Sequence, residues 1–210
     1  MSLKRILRKI EEELKERKAI KDELYDAMRK ATRFSKQAIF LVHKGEFEEA
    51  KKMLGEAERL LVERDQVSLT HQKLAHAGIV DVAFQEYAEA YVFLQLVQNG
   101  RFVTPEKIKV PSTSYLLGLA DVVGELRRKV LDSLREGDGE GAQKNFEIMD
   151  FIYSELIGID EALHSVSELR RKTDIARRIV ELTRGDITIE ARRNSLERSI
   201  RSLEDALKEK

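Results

Sequence analysis

Four carboxylates lie in two of the most apolar segments of the chain, and their spacing could support metal chemistry. Glu86 and Glu89 are three residues apart and Asp121 and Glu125 are four apart, so each pair lies on one face of a predicted helix. Ionised carboxylates in apolar surroundings cost free energy and repel one another unless a cation or a hydrogen-bond donor stabilises them. Because all four supply oxygen ligands, the pattern favours Mg²⁺ or Mn²⁺ over zinc.

The residues around these pairs leave a second interpretation open. A basic residue three or four positions away is available only to Glu125, from Arg128 and Lys129. Each pair could instead lie on a solvated strip, or pair with a basic residue from elsewhere in the chain. Gly118 and Gly124 interrupt the second segment, and glycine inside a helix costs about 1 kcal/mol relative to alanine, so it usually marks close packing. Both glycines are expected to bring the two helices together.

A weaker set of residues could contact nucleic acid. Lysine and arginine neutralise phosphates, and aromatic rings such as Tyr87 and Tyr91 can stack on bases. Taken singly, each basic residue is more simply explained by a solvated charged face, each histidine by a surface or packing position, and both tyrosines by the core. The candidates are Arg33, Lys36, His71, Lys73, His76, Arg127 and Arg128.

Composition excludes several other classes of protein. The chain has 210 residues, 42% of them hydrophobic, so it can bury a core and is not mainly disordered. It has no cysteine, which excludes disulfides, zinc–cysteine sites and a thiol nucleophile. No Gly-x-Ser-x-Gly motif or glycine-rich phosphate loop occurs. There is neither an apolar run of about 18 residues nor a signal-peptide apolar region, so a cytoplasmic location is expected.

Helical spacing of apolar residues runs through the whole chain. The pattern predicts an all-α fold: a single-domain bundle of about seven helices over residues 1–210. The predicted helices cover approximately residues 2–42, 47–63, 67–98, 112–136, 141–159, 161–183 and 188–210. The long first helix would span roughly 60 Å, whereas a globule of this length has a radius of gyration of about 17 Å. Part of the first or third helix is therefore expected to find its partner on another subunit.

Three segments resemble the translin family, and within it the translin-associated factor X branch. IFLVHK at residues 39–44 is similar to the end of the family's first helix. FQEYAEA at 84–90 and YLLGLADVVGELRR at 115–128 are similar to the family's acidic helices. The last segment is long enough to be specific. The resemblance extends over essentially the whole chain, although it is weak in the last two predicted helices.

The resemblance implies an active site as well as a fold. The family's acidic metal ligands correspond, position by position, to Glu86, Glu89, Asp121 and Glu125. It implies an Mg²⁺- or Mn²⁺-dependent ribonuclease that cleaves single-stranded or short RNA, with single-stranded DNA as a second candidate ligand. The chain lacks a long insertion between the third and fourth predicted helices that some relatives carry, which favours a homo-oligomer. The family points to a closed particle of about eight subunits.

Two other functions remain open on the sequence alone. One is a non-catalytic binder of single-stranded nucleic acid, as in the translin branch; retention of all four carboxylates argues against it. The other is a structural helical bundle with no role in nucleic-acid metabolism. Under the ribonuclease hypothesis, replacing one carboxylate by its amide is expected to abolish cleavage and to keep or raise the melting temperature, since mutual repulsion is relieved.

Overall fold

The structure is a computed structural model that describes residues 2–70 and 78–208. For residues 63–70 it describes the backbone and not the side chains. All regular structure in these residues is helical, which confirms the all-α prediction. Among the described residues, no helix is both long enough and apolar enough to cross a membrane. The chain separates into two compact units, Met1–Gly118 and Leu119–Lys210. A compact unit is not in itself a domain, so the single-domain assignment stays a prediction.

The first unit is built on three long helices, α1 (Leu3–His43), α2 (Phe47–Thr70) and α3 (Gly78–Asn99), which pack against one another. The short α4 (Pro105–Ile108) follows α3, and α5 (Ser112–Glu136) begins in this unit. The helix α1 ends before Gly45, whose backbone is left-handed at φ 77°. Residues with a side chain rarely adopt this conformation, so glycine is typical here. Thr104 Oγ1 accepts a hydrogen bond from the Lys107 amide and caps α4.

Only the second half of α1 contributes to the core of the first unit. Its buried positions begin at Leu24, and residues 2–19 are exposed. By contrast, α3 is buried on most sides, as its apolar sequence predicted. The start of α1 is therefore exposed and α3 is not; the expectation that part of a long helix pairs with another subunit stays a prediction.

The second unit contains the rest of α5, with α6 (Gly139–Ile157), α7 (Asp160–Ser165) and α8 (Ser167–Lys208). The helix α6 packs against α8, and α7 packs against the start of α8. Gly137, at φ 78°, ends α5, and Asp138 Oδ1 accepts a hydrogen bond from the Gly141 amide at the start of α6. Within the described residues the structure thus has eight helices, two of which are a turn or two long, against about seven predicted.

Several predicted helix boundaries differ from the structure. The break predicted at 64–66 is absent, because α2 continues through Thr70, and residues 71–77 lie outside the described part of the chain. The predicted helix 161–183 is interrupted at Val166, between α7 and α8. The break predicted at 184–186 does not exist, because α8 continues through Gly185. One glycine costs a helix only about 1 kcal/mol. Ion pairs of Arg184 with Asp150 (2.9 Å) and of Asp186 with Arg127 (3.2 Å) fix both residues that flank this glycine.

Candidate functional site

The carboxylates of the first unit lie on α3, and the structure places them in different surroundings. Glu89 is buried, with 8% of its surface exposed, because α3 is covered on this side. Glu86 is half-buried, and its Oε1 lies 3.1 Å from Nζ of Lys36 on α1. The carboxylate is 18% exposed and the lysine 62%, so water reaches the ammonium group of this pair. The sequence had considered Lys36 only as a phosphate contact.

The carboxylates of the second unit lie on α5, where Asp121 is held by a lysine of α8. Nζ of Lys172 donates to both oxygens of Asp121, at 2.6 Å to Oδ1 and 2.8 Å to Oδ2. Only 12% of the lysine side chain and 27% of the aspartate side chain are exposed, so water screens this pair less than it screens the pair on α3. Glu125, one turn further along α5, is half-buried. Sequence reasoning missed Lys172.

The two glycines of α5 have different surroundings. A Cβ added at Gly118 would lie 2.6 Å from the backbone oxygen of Gln85 and 2.9 Å from the backbone nitrogen of Glu89. The prediction of close packing against α3 is therefore confirmed at Gly118. At Gly124 an added Cβ would meet no described heavy atom within 4 Å, so that prediction is wrong there.

A recess of about 190 Å³ adjoins the Asp121–Lys172 pair in the second unit. It lies between α5 and α8, and the open side of Gly124 contributes to its wall. Arg171 also lines it, with 66% of its side chain exposed. The recess is large enough for several water molecules, at about 30 Å³ each. A polar ligand could thus enter beside the ion pair.

The remaining predicted nucleic-acid contacts divide into exposed residues and structural ones. Arg33 and Arg128 are exposed. Arg127 is half-buried and connects α5 to α8, since it donates to Thr183 Oγ1 at 2.6 Å and pairs with Asp186. His71, Lys73 and His76 lie outside the described residues.

Tyr87 and Tyr91 form a ring contact in the first unit. Their ring centroids are 5.8 Å apart in an edge-on arrangement, and they line a groove of about 230 Å³ with α2. Tyr87 is fully buried, and this burial raises the pKa of its hydroxyl well above the ordinary value. Its position agrees with the core interpretation of the sequence.

The chemistry of the four acidic side chains fits a hard divalent cation. All are carboxylates, and Glu86 and Asp121 each already hold a cationic nitrogen, at 3.1 Å and 2.6 Å respectively. Within residues 2–70 and 78–208, no group of three or more His, Asp or Glu side chains is arranged to hold a metal ion. Each unit thus contains two of the four predicted carboxylate ligands.

Comparison with known proteins identifies the family of the chain. A model of the Translin family matches residues 19–182. An uncharacterized protein of Methanocaldococcus jannaschii is 29% identical over 171 residues, which are 80% of this chain and 75% of that protein. The structure of AfC3PO in complex with duplex RNA is similar, with a TM-score of 0.76 and 32% identity over 88% of this chain and 96% of that one.

Two further structures share the fold. A crystal structure of AfC3PO has a TM-score of 0.77 and 33% identity, and that of apo-NeC3PO has a TM-score of 0.79 and 24% identity. Each covers 88% of this chain and 96% of its own. Since the family model spans well over half of the sequence, the chain belongs to the translin family.

Proposed function

We propose that this protein binds RNA and cleaves it as a metal-dependent endoribonuclease, and that it belongs to the branch of the family that resembles translin-associated factor X. Binding of RNA is supported by the 32% identical AfC3PO, whose structure holds duplex RNA. Cleavage is supported by the four carboxylates, because Glu89 is buried and the other three are half-buried, and a bound cation would offset the free-energy cost of burying their charge. The buried position of Glu89 is the observation that carries the catalytic part of the proposal.

In this proposal Glu86, Glu89 and Asp121 supply oxygen ligands for Mg²⁺ or Mn²⁺, and Glu125 completes the set as a ligand or as a base for water. When bound, the cation would activate a water molecule and stabilise negative charge on the scissile phosphate. Burial of Glu89 fixes its carboxylate in position before the cation arrives. The backbone of α5 at Gly118 packs directly against the Glu89 amide and supports that position.

Exposed cations would hold the RNA backbone. Arg33 and Arg128 carry guanidinium groups at the surface, and phosphate contacts of this kind dominate the affinity for nucleic acids. Single-stranded RNA is the preferred substrate of the proposal, because a flexible strand presents one phosphate to a site more readily than a stiff duplex does. The duplex bound by AfC3PO makes duplex RNA the necessary comparison, and single-stranded DNA the second.

We further propose that the protein works as a closed homo-oligomer of about eight subunits with its sites facing the interior. Exposed apolar side chains at both ends of the described chain support association between copies. On α1 they are Leu3, Leu7, Ile10 and Leu14, and on α8 they are Ile189, Leu196, Ile200, Leu203 and Leu207. Most of these residues recur every three or four positions, as in helices that pair along one seam.

The ion pairs favour a second candidate function, a non-catalytic RNA-binding oligomer. Lys36 and Lys172 neutralise Glu86 and Asp121 without any metal. A protein that uses these carboxylates only to connect helices would show the same contacts.

A single assay distinguishes the candidates. Labelled RNA oligomers, single-stranded and duplex, are incubated with the protein in Mg²⁺ or in EDTA. Cleavage that requires Mg²⁺ and is lost in Glu89→Gln supports the ribonuclease. The matched control is Glu58→Gln, since Glu58 is a carboxylate of α2 that pairs with Lys109. A retarded but intact RNA band would support the non-catalytic binder, and no retardation with no cleavage would refute both.

A further inference from the structure

We propose that Lys172 is an internal cation that responds to the metal: it neutralises Asp121 while no divalent cation is bound, and it contacts an RNA phosphate once the cation takes the carboxylate. This inference rests on the proposed function, since it assumes that Asp121 is a metal ligand. It assigns a role to a residue that lies 51 positions from Asp121 along the chain.

The geometry of the pair makes the ammonium group of Lys172 a competitor of a metal ion for Asp121. Nζ of Lys172 lies within 2.8 Å of both Asp121 oxygens, so no oxygen of this carboxylate is out of reach of the ammonium group. A divalent cation binds carboxylate oxygens at about 2.0–2.6 Å, which would place it in close contact with a like charge. The ammonium charge therefore opposes entry of the cation, so we expect entry to move Nζ away from Asp121 and removal of the lysine charge to favour entry.

The surroundings allow the displaced ammonium group to stay near the site. Lysine has a flexible four-carbon stem, so Nζ can move while the helix stays in place. The recess of about 190 Å³ beside the pair offers space for this movement, and Gly124 keeps that space open. Because only 12% of the Lys172 side chain is exposed, a displaced ammonium group whose stem stays in place remains beside the recess.

The charges then favour a phosphate as the next partner of Lys172. Once Asp121 is neutralised by a divalent cation, the recess contains the freed ammonium group, with Arg171 on its rim in an exposed pair with Glu168 at 3.4 Å. Lysine binds phosphate as a point charge and needs no fixed orientation. Metal binding would thus increase the affinity for RNA through the chain's own cation, in addition to any contact of the metal with the phosphate.

The test measures Mn²⁺ binding and RNA binding separately in the full-length protein. Mn²⁺ affinity is determined by electron paramagnetic resonance for the wild type, Lys172→Met and Lys172→Gln. Glutamine can still donate a hydrogen bond to Asp121, so it provides an uncharged variant if the methionine variant fails to fold. The control is Lys109→Met, which removes the lysine of another carboxylate pair, with Nζ 3.1 Å from Glu58 Oε1.

Both uncharged variants of Lys172 are expected to bind Mn²⁺ about tenfold more tightly than the wild type, because no ammonium group then competes with the metal ion for Asp121. Binding of 2′-O-methyl RNA should strengthen on addition of Mn²⁺ in the wild type and in Lys109→Met, and strengthen less in the Lys172 variants. Unchanged Mn²⁺ affinity in variants of Lys172, with a wild type that does bind Mn²⁺, would overturn this inference alone. A wild type that binds no Mn²⁺ would overturn the proposed metal site and this inference with it.

Discussion

The contact between Gly118 and α3 gives a sharp test of how the first unit is packed. In Gly118→Ala, the new Cβ would lie 2.6 Å and 2.9 Å from backbone atoms of Gln85 and Glu89. Backbone atoms of a packed helix cannot rotate away as a side chain can, so α3 or α5 must shift. Overpacking of this kind costs about 1–3 kcal/mol, and the better helix propensity of alanine returns about 1 kcal/mol. We expect a net destabilisation of up to about 2 kcal/mol.

Gly124 on the same helix supplies a matched control. An alanine there meets no described heavy atom within 4 Å, so Gly124→Ala should gain up to about 1 kcal/mol from helix propensity alone. The free energies of unfolding of the two variants should then differ by the overpacking cost, roughly 1–3 kcal/mol. For a chain of this length that difference corresponds to about 2–12 °C in melting temperature.

The assay is thermal and urea unfolding followed by helical circular dichroism, at one protein concentration and with the same assembly size confirmed by light scattering. Gly118→Ala should also cleave RNA more slowly in Mg²⁺, because the shift begins at the Glu89 amide. Equal stability of Gly118→Ala and Gly124→Ala would refute the packing argument. A Gly118→Ala variant more stable than the wild type would refute it even more directly.

Ion pairing, apolar exposure and burial lead to three further expectations. Asp121→Asn should lower the free energy of unfolding in EDTA by about 1–3 kcal/mol, because Lys172 loses a charged acceptor; urea unfolding that shows no loss would contradict a stabilising pair. Leu203→Glu should reduce the particle mass in light scattering with helix content retained, and an unchanged mass would remove α8 from the interface. Burial raises the pKa of Tyr87 in the folded protein, so the free energy of unfolding of the wild type should fall as pH rises above about 10. The free energy of unfolding of Tyr87→Phe should fall less over that range, and parallel pH profiles of the two proteins would refute this.

The expectation for Asp121→Asn reverses the one drawn from sequence. Four carboxylates on two apolar segments suggested that their mutual repulsion dominates, so that an amide would keep or raise the melting temperature. The structure shows that Lys172 already neutralises Asp121, and an amide accepts a weaker hydrogen bond from an ammonium group than a carboxylate does. For Glu89 the sequence-based expectation stays a prediction.

Local signals predicted the helices well where one residue determines a boundary. The left-handed conformation of Gly45 and of Gly137 ends α1 and α5 within one residue of the predicted positions. At Gly185 the same signal failed, because glycine permits a helix end without requiring one. The ion pair of Asp186 with Arg127 joins residues far apart in sequence, and no local pattern reports such a pair.

The candidate site shows the same division between local and long-range information. Helical spacing and apolar neighbours indicated that Glu86, Glu89, Asp121 and Glu125 are at least half-buried, because an apolar helix is covered on most sides. Their role in binding a metal stays a prediction. The same pattern cannot show which cation offsets the free-energy cost of burying these carboxylates, since a lysine from another helix and a divalent metal can bind the same oxygens.

The two observed lysines differ in a way that bears on this choice. Lys36 is 62% exposed, so its pair with Glu86 contributes little to stability and a metal can replace it at small cost. Lys172 is 12% exposed, and its displacement from Asp121 requires a partner for a largely buried ammonium group. A phosphate delivered with the metal supplies that partner, whereas a metal alone does not. The second unit is therefore the one in which the chain's own cation should make metal affinity and RNA affinity depend on each other. A comparison of the single variants Lys36→Met and Lys172→Met should find this dependence reduced only in Lys172→Met.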